Sequence, residues 1–260
     1  MTVGVLQDKV ALVLGGTYGI GRAVARRFAE EGAHVVATGR RPRPELEAEA
    51  TAAGLDLSVQ VGDMTVWDDV RRVVEATHAR HARLDVVVVA GKPERPAADL
   101  FLETDPATFP DYFVGRTVSR FYAARAAAPL MKAQGKGKIL FLTTDAGRTP
   151  TPAEVLIGAS AAAVIFGTRA LARELARFGI RVNTIALSLT QDTPIFAEYQ
   201  RQKQSGAVIW KAFEKIERTA PFGLNRPEDV ANVAAFLASD AADQVSGATI
   251  SLNGGIAFPG

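Results

Sequence analysis

Gly15-Gly16-Thr17-Tyr18-Gly19-Ile20-Gly21 lies between an apolar run, 10–14, and a segment, 18–31, where Ile20, Val24 and Phe28 recur at helical spacing. Glycines at 15, 19 and 21 permit a tight turn and let an anion approach the first helical turn. Free N–H groups and the helix dipole favour a phosphate there. Thr17, Tyr18 and Ile20 fill the rest of that loop. An ordinary strand–helix turn is the plainer alternative, but the flanking strand and helix patterns supply the context of a dinucleotide site. The next apolar run ends in Gly39-Arg40-Arg41. An acid normally meets the ribose hydroxyls of NAD at that point. This chain has no acid there and two guanidiniums, which match a 2′-phosphate. NADP(H) is therefore the expected cofactor, with exposed loop arginines as the alternative.

Other reactive side chains are scarce. With no cysteine there are no disulfides, thiolate metal sites or Cys nucleophiles. His34, His78 and His81 have no partners at ligand spacing, so no metal is expected. A net charge of +2, with arginines spread along the chain, reads as solvated helix faces rather than a nucleic-acid surface. The N-terminus lacks a signal pattern, and no apolar run is read as long enough to span a membrane. A cytoplasmic protein without a membrane or nucleic-acid partner is expected.

The elements that must position these residues alternate in type. KVALVLGG, HVVATGR, LSVQVGD, LDVVVVAG, KILFLTT, IRVNTIAL and ATISLNGG read as strands. Helices are expected near 45–53, over 66–82, 106–134 and 153–178, and from Pro227 onward. LDVVVVAG is too continuously apolar for a sheet covered on one side. Residues 188–222 read as irregular overall, with 194–220 forming a helical lid. Its aromatic side (Phe196, Tyr199, Ile209, Trp210, Phe213) would cover an apolar or acyl-type small molecule; simple core or an oligomer contact is the alternative. No linker or repeat divides residues 1–260. The fold class expected is α/β, a single-domain, doubly wound, seven-stranded parallel sheet with helices on both faces.

The G-x-x-x-G-x-G spacing resembles that of the short-chain dehydrogenase/reductase family, and the likeness runs the length of the chain. Asp63, followed by Met64, resembles that family's adenine-side Asp; Ala90-Gly91 resembles the tail of its Asn-Asn-Ala-Gly segment, and Gly147 the glycine after its serine. ARFGIRVNTIA, NRPEDVANVAAFLASDAA and VSGATISLNGG resemble its late signatures. Thr193-Pro194 resembles the site of the Thr that meets the nicotinamide amide, displaced by one residue, and Lys92 is close enough to Ala90-Gly91 to reach the nicotinamide ribose. The resemblance also implies a tetramer packed through the helix 153–178, where Ala159, Ala161, Ala162 and Ala163 permit close approach.

The resemblance fails where the chemistry should be. Family members reduce ketones with a Tyr made acidic by a nearby Lys, a Ser that polarises the carbonyl and an Asn that holds a water relay. Here the Tyr and Lys positions fall on Ile157 and Ala161, the Ser on Thr144 and the Asn on Arg116. No Tyr lies between Tyr122 and Tyr199, and no Lys between Lys138 and Lys203. Three readings follow. The protein reduces an acceptor that needs no strong acid, either an enoyl thioester or an imine or iminium. In that case Thr144 donates to an enolate, Asp145 faces a cation and Arg116 carries or clamps an anion; the alternatives are that Thr144 only fills the Ser's space, Asp145 caps a turn and Arg116 pairs with an acid on a neighbouring helix. Alternatively the site does non-redox work around structural NADP(H). In the third reading the chain is an inactive partner in a hetero-oligomer with an active relative, rather than a homotetramer.

Overall fold

Val10–Leu14 (β1) is apolar at every position and buried at every position, so both of its faces need cover. Alternate residues supply two cores: Ala11 and Val13 point to one, Leu12 and Leu14 to the other. The computed structural model describes residues 4–91 and 96–259. His34–Gly39 (β2), Leu57–Val61 (β3), Val86–Val89 (β4), Gly137–Thr144 (β5), Ile180–Leu187 (β6) and Thr249–Leu252 (β7) complete the sheet. It is parallel throughout, in the order β3-β2-β1-β4-β5-β6-β7.

Helices cover both faces. Gly19–Glu30 (α1), Pro44–Ala52 (α2) and the late helix Pro227–Ala238 share one core, through Phe28, Leu46, Val230 and Leu237. Trp67–His81 (α3) and the helices that follow β4 and β5 share the other, through Val70, Met131 and Val164. Strand order reverses between β1 and β4. The crevice past the carboxyl ends of those strands is where doubly wound sheets bind ligands.

Three sequence expectations need correction. The helix expected over 106–134 is interrupted: Phe109–Phe113 (α4) leads into a π-turn, Val114–Val118, before Ser119–Gln134 (α5). The cause is local, because Ser119 Oγ and Arg120 Nη1 each donate to the Gly115 carbonyl at 3.0 Å, competing with the helical ladder.

Residues 188–222 are more regular than expected, with helices Pro194–Gln202 (α7) and Val208–Thr219 (α8). The aromatic side of this region closes on itself. Tyr199, Ile209, Trp210 and Phe213 form a small core with Ala153 and Leu189, and the Tyr199 hydroxyl donates to Glu217 at 2.6 Å.

Finally, Val155–Phe178, which begins with Val155–Leu175 (α6), is 24 residues long and holds an 18-residue window of mean hydropathy 1.8, long and apolar enough to cross a membrane. The helix packs Val164, Ala172 and Leu175 into the core beneath β5 and β6 instead. Pro227–Ala238 is labelled α9 below.

Candidate dinucleotide and active site

The turns after β1 and β4 touch backbone to backbone. The amides of Ala90 and Gly91 both donate to the Leu14 carbonyl, at 2.9 and 3.2 Å. Gly15 has φ +76°, and a Cβ there would stand 2.5 Å from the Gly91 nitrogen. A Cβ on Gly91 would in turn meet Met64 Sδ at 2.6 Å. Beyond this contact α1 begins at Gly19. Tyr18 is extended at the N-cap, no side chain caps the helix, and its first turn holds no acid. Gly19 has φ +50°, and a Cβ there would make ordinary contact with Pro194 Cδ at 3.6 Å, so α7 begins close to the start of α1. An uncapped helix start that follows glycines at positive φ suits the pyrophosphate of a dinucleotide.

Thr17 packs over the end of β2, where a Cβ on Gly39 would collide with its side chain. Arg40 and Arg41 are exposed just past that strand. Arg43, which sequence reasoning did not single out, lies with its guanidinium 5.7 Å from the Tyr18 ring centroid. Asp63 Oδ1 accepts from the Thr65 amide at 2.8 Å and the Thr65 hydroxyl at 2.7 Å, which holds the turn into α3. The Asp63 amide donates to Asp69 at 2.9 Å; this bond, followed by one from Arg72, keeps the Asp69 carboxyl below the usual range. Thr193 caps α7: its hydroxyl accepts from the Phe196 amide at 3.3 Å and donates to the Thr190 carbonyl at 2.7 Å. Lys92 lies outside the described residues.

The floor of the crevice comes from the ends of β5 and β6, α6 and the π-turn. Thr144 ends β5, and its hydroxyl oxygen accepts from the Ala146 amide at 3.2 Å, leaving its own proton available. Asp145 turns away. Arg148 Nη2 reaches its Oδ1 at 2.5 Å, and Asn253 Nδ2 donates to its Oδ2. Arg148 also donates to Ser251 Oγ at 2.8 Å, so the cluster ties the end of β5 to β7. The sequence pointed Asp145 at a substrate cation; with both carboxylate oxygens engaged, it faces Arg148 and Asn253. Ile157 and Ala161 are buried on α6. A Cβ on Gly147 would lie 2.8 Å from the Ala161 carbonyl carbon, so that turn rests directly on the helix. Ser188 Oγ, just past β6, is buried without a hydrogen-bond partner.

The π-turn brings in two guanidiniums. Arg120, which the sequence reading passed over, is 3% exposed. It donates to the carbonyls of Gly115 (3.0 Å), Gly91 (2.8 Å) and Leu142 (3.0 Å) and to Ser119 Oγ (3.0 Å). Burial, with the neighbouring Arg116 charge, pulls its pKa down to about 9. Arg116 is 9% exposed and lies 5.4 Å from the Tyr112 ring centroid. Its Nη2 donates to the Pro96 carbonyl at 3.1 Å, while Nη1 is buried without a partner. Burial lowers its pKa as well, against weaker opposing pulls from Tyr112 and Glu154. Among the described residues, no carboxylate forms an ion pair with either arginine. The signal that could have found Arg120 is an arginine in register with the buried stripe Ala123, Ala124 and Ala127.

A family profile described as Enoyl-(Acyl carrier protein) reductase matches residues 15–257. The chain is 32% identical over 255 residues to the A-factor type gamma-butyrolactone 1′-reductase (1S-forming) of Streptomyces virginiae, covering 97% of this chain and 96% of that protein. It is 30% identical over 252 residues to dehydrogenase/reductase SDR family member 4 of Mus musculus, covering 96% and 88%. A solved 7 alpha-hydroxysteroid dehydrogenase, complexed with NADH and 7-oxo glycochenodeoxycholic acid, superposes with a TM-score of 0.86 at 25% identity, covering 96% of this chain and 94% of that one.

Proposed function

Because this chain belongs to the short-chain dehydrogenase/reductase family of oxidoreductases, we propose that it is an NADPH-dependent reductase of a conjugated, enoyl thioester-type acceptor rather than of an ordinary ketone. The observation that carries this reading is the burial of Arg116 and Arg120, together with Ile157 and Ala161 on α6, which this reading takes to occupy the family's Tyr and Lys positions. When bound, the nicotinamide supplies a hydride. Reducing a ketone leaves an alkoxide that must be protonated at once, and Ile157 and Ala161 have no proton to give. A conjugated acceptor instead accumulates charge as a weakly basic enolate, for which fixed hydrogen-bond donors and nearby positive charge suffice. Thr144 offers its hydroxyl proton, the arginines supply the positive field, and water delivers the later proton. The same field disfavours an iminium, and Asp145, engaged by Arg148 and Asn253, does not offset it.

Gly15, Thr17, Tyr18, Gly19, Ile20 and Gly21 would hold the pyrophosphate side of NADP(H), and Arg40, Arg41 and the Arg43–Tyr18 pair its adenosine 2′-phosphate end. Asp63 and Met64 would lie toward the adenine, and Ala90, Gly91 and Thr193 toward the nicotinamide. A cytoplasmic homotetramer is the assembly proposed. Phe166 and Val155, 67% and 54% exposed on α6, give it an apolar face to bury. Stopped-flow loss of NADPH absorbance with crotonyl thioesters, cyclic imines and simple ketones tests the acceptor. Turnover of the thioester alone is expected; ketone reduction at rates typical of the family would defeat the reading.

A further inference from the structure

Two like charges four residues apart on one helical segment repel each other, and burial magnifies the cost. Arg120 is compensated by three carbonyls and a hydroxyl. Arg116 is not. One of its terminal nitrogens is spent on the Pro96 carbonyl, the other is buried without a hydrogen-bond partner among the described residues, and the ring beside it is Tyr112. The turn that carries it is fixed, because the Thr117 hydroxyl donates to the Ser160 carbonyl at 2.9 Å and locks the π-turn to α6. The guanidinium is therefore held in place and desolvated, with one terminal nitrogen unpartnered among the described residues.

We infer that Arg116 is a receptor for a carboxylate carried by the substrate itself, so that the enzyme's substrate is an acid whose anionic group docks on the π-turn while its conjugated carbons lie over Thr144. A carboxylate matches the donor set. The unpartnered Nη1 carries two N–H donors beside the Tyr112 ring, which suit one compact monoanion, whereas a phosphate dianion would ask for more donors than this nitrogen offers. Nearby Arg120 adds attraction without contact, since its own terminal nitrogens are engaged within the protein.

The inference rests on the reading above only in locating the substrate at this floor, and its test reads binding rather than turnover. Titration calorimetry on the full-length protein, with and without NADPH, would compare benzoate, its neutral isostere benzamide, and inorganic phosphate. Benzoate is expected to bind at least about tenfold more tightly than benzamide, the scale of one charge-assisted hydrogen bond. Arg116→Gln should erase that preference and Arg116→Lys should keep part of it. Without ligand, Arg116→Gln should melt at a higher temperature than the natural protein, since it removes an uncompensated buried charge; benzoate should raise the melting temperature of the natural protein alone. Equal binding of benzoate and benzamide, a benzoate preference that survives Arg116→Gln, or a preference for phosphate would each overturn the inference. Failure of thioester reduction alongside intact benzoate binding would fault the acceptor and leave the carboxylate receptor standing.

Discussion

Arg120 Nη2 donates to the Gly91 carbonyl at 2.8 Å, so a side chain from α5 holds the turn that faces Gly15 and the start of α1. The same nitrogen donates to the Leu142 carbonyl at 3.0 Å, joining that turn to β5 two residues before Thr144. One fully buried cation therefore braces both the dinucleotide cradle and the strand that carries the hydroxyl donor.

Replacing it should be costly. Arg120→Met keeps the length and the apolar stem but removes the side-chain donor from the carbonyls of Gly91 and Leu142, while Gly115 keeps the Ser119 hydroxyl. Each unsatisfied buried group costs roughly 1–3 kcal/mol, and some of that returns with the lost desolvation of the guanidinium. A net destabilisation of about 2–4 kcal/mol is expected in urea unfolding. Arg116→Gln should move the midpoint the other way, and that opposite sign separates the braced arginine from the unpaired one.

Cofactor choice is the next expectation. Arg40→Ala with Arg41→Ala should weaken NADPH binding by about tenfold to a hundredfold, since each guanidinium–phosphate contact contributes on the order of 1.5–3 kcal/mol before solvent screening. NADH affinity should scarcely change. Fluorescence titration of both cofactors checks this, and an equal loss for both would mean that these residues support the loop rather than read the phosphate.

The cradle and the sheet were legible because they depend on local pattern: strands apolar at every position, helices with one apolar stripe, and glycines where a Cβ would strike backbone. The π-turn was not legible. It arises when Ser119 and Arg120 compete for one carbonyl, and helical periodicity carries no trace of that competition. The role of Asp145 was hidden for a different reason: its partner Asn253 lies over a hundred residues away, brought close only by the pairing of β5, β6 and β7. Arg120 was overlooked because an arginine on a helix is ordinarily solvated; only the packed fold shows it buried.

Acid should unpick the opposite end of the sheet first. Asp240 accepts from Lys138 Nζ at 2.8 Å and from Lys9 Nζ at 2.9 Å, and these bonds hold its pKa down to about 2. A carboxyl depressed in the folded state adds stability that is complete above its unfolded value, about 3.9, and is lost as pH falls through about 2. Asp240→Asn should therefore lower the urea midpoint near pH 6, and the gap to the natural protein should close between about pH 4 and pH 2. Because the Asp240 side chain is 70% exposed, added salt should narrow the gap as well. Urea titrations across that pH range, at low and high ionic strength, measure both effects.

Thr144 is where the proposed chemistry is most exposed to test. Its hydroxyl oxygen accepts from the Ala146 amide at 3.2 Å, so the hydroxyl proton is directed elsewhere, at the last residue of β5. Thr144→Val removes the donor while preserving shape, and the half-buried position should tolerate it with a stability change of about 1 kcal/mol. If the hydroxyl stabilises an enolate, kcat for a crotonyl thioester should fall by about a hundredfold or more while NADPH affinity and KM hold, the pattern of a donor used only in the transition state. Thr144→Ser should restore most of the rate. A valine variant as fast as the natural protein would mean that the hydroxyl only caps its turn, and the whole stabilisation would then have to come from the two buried arginines.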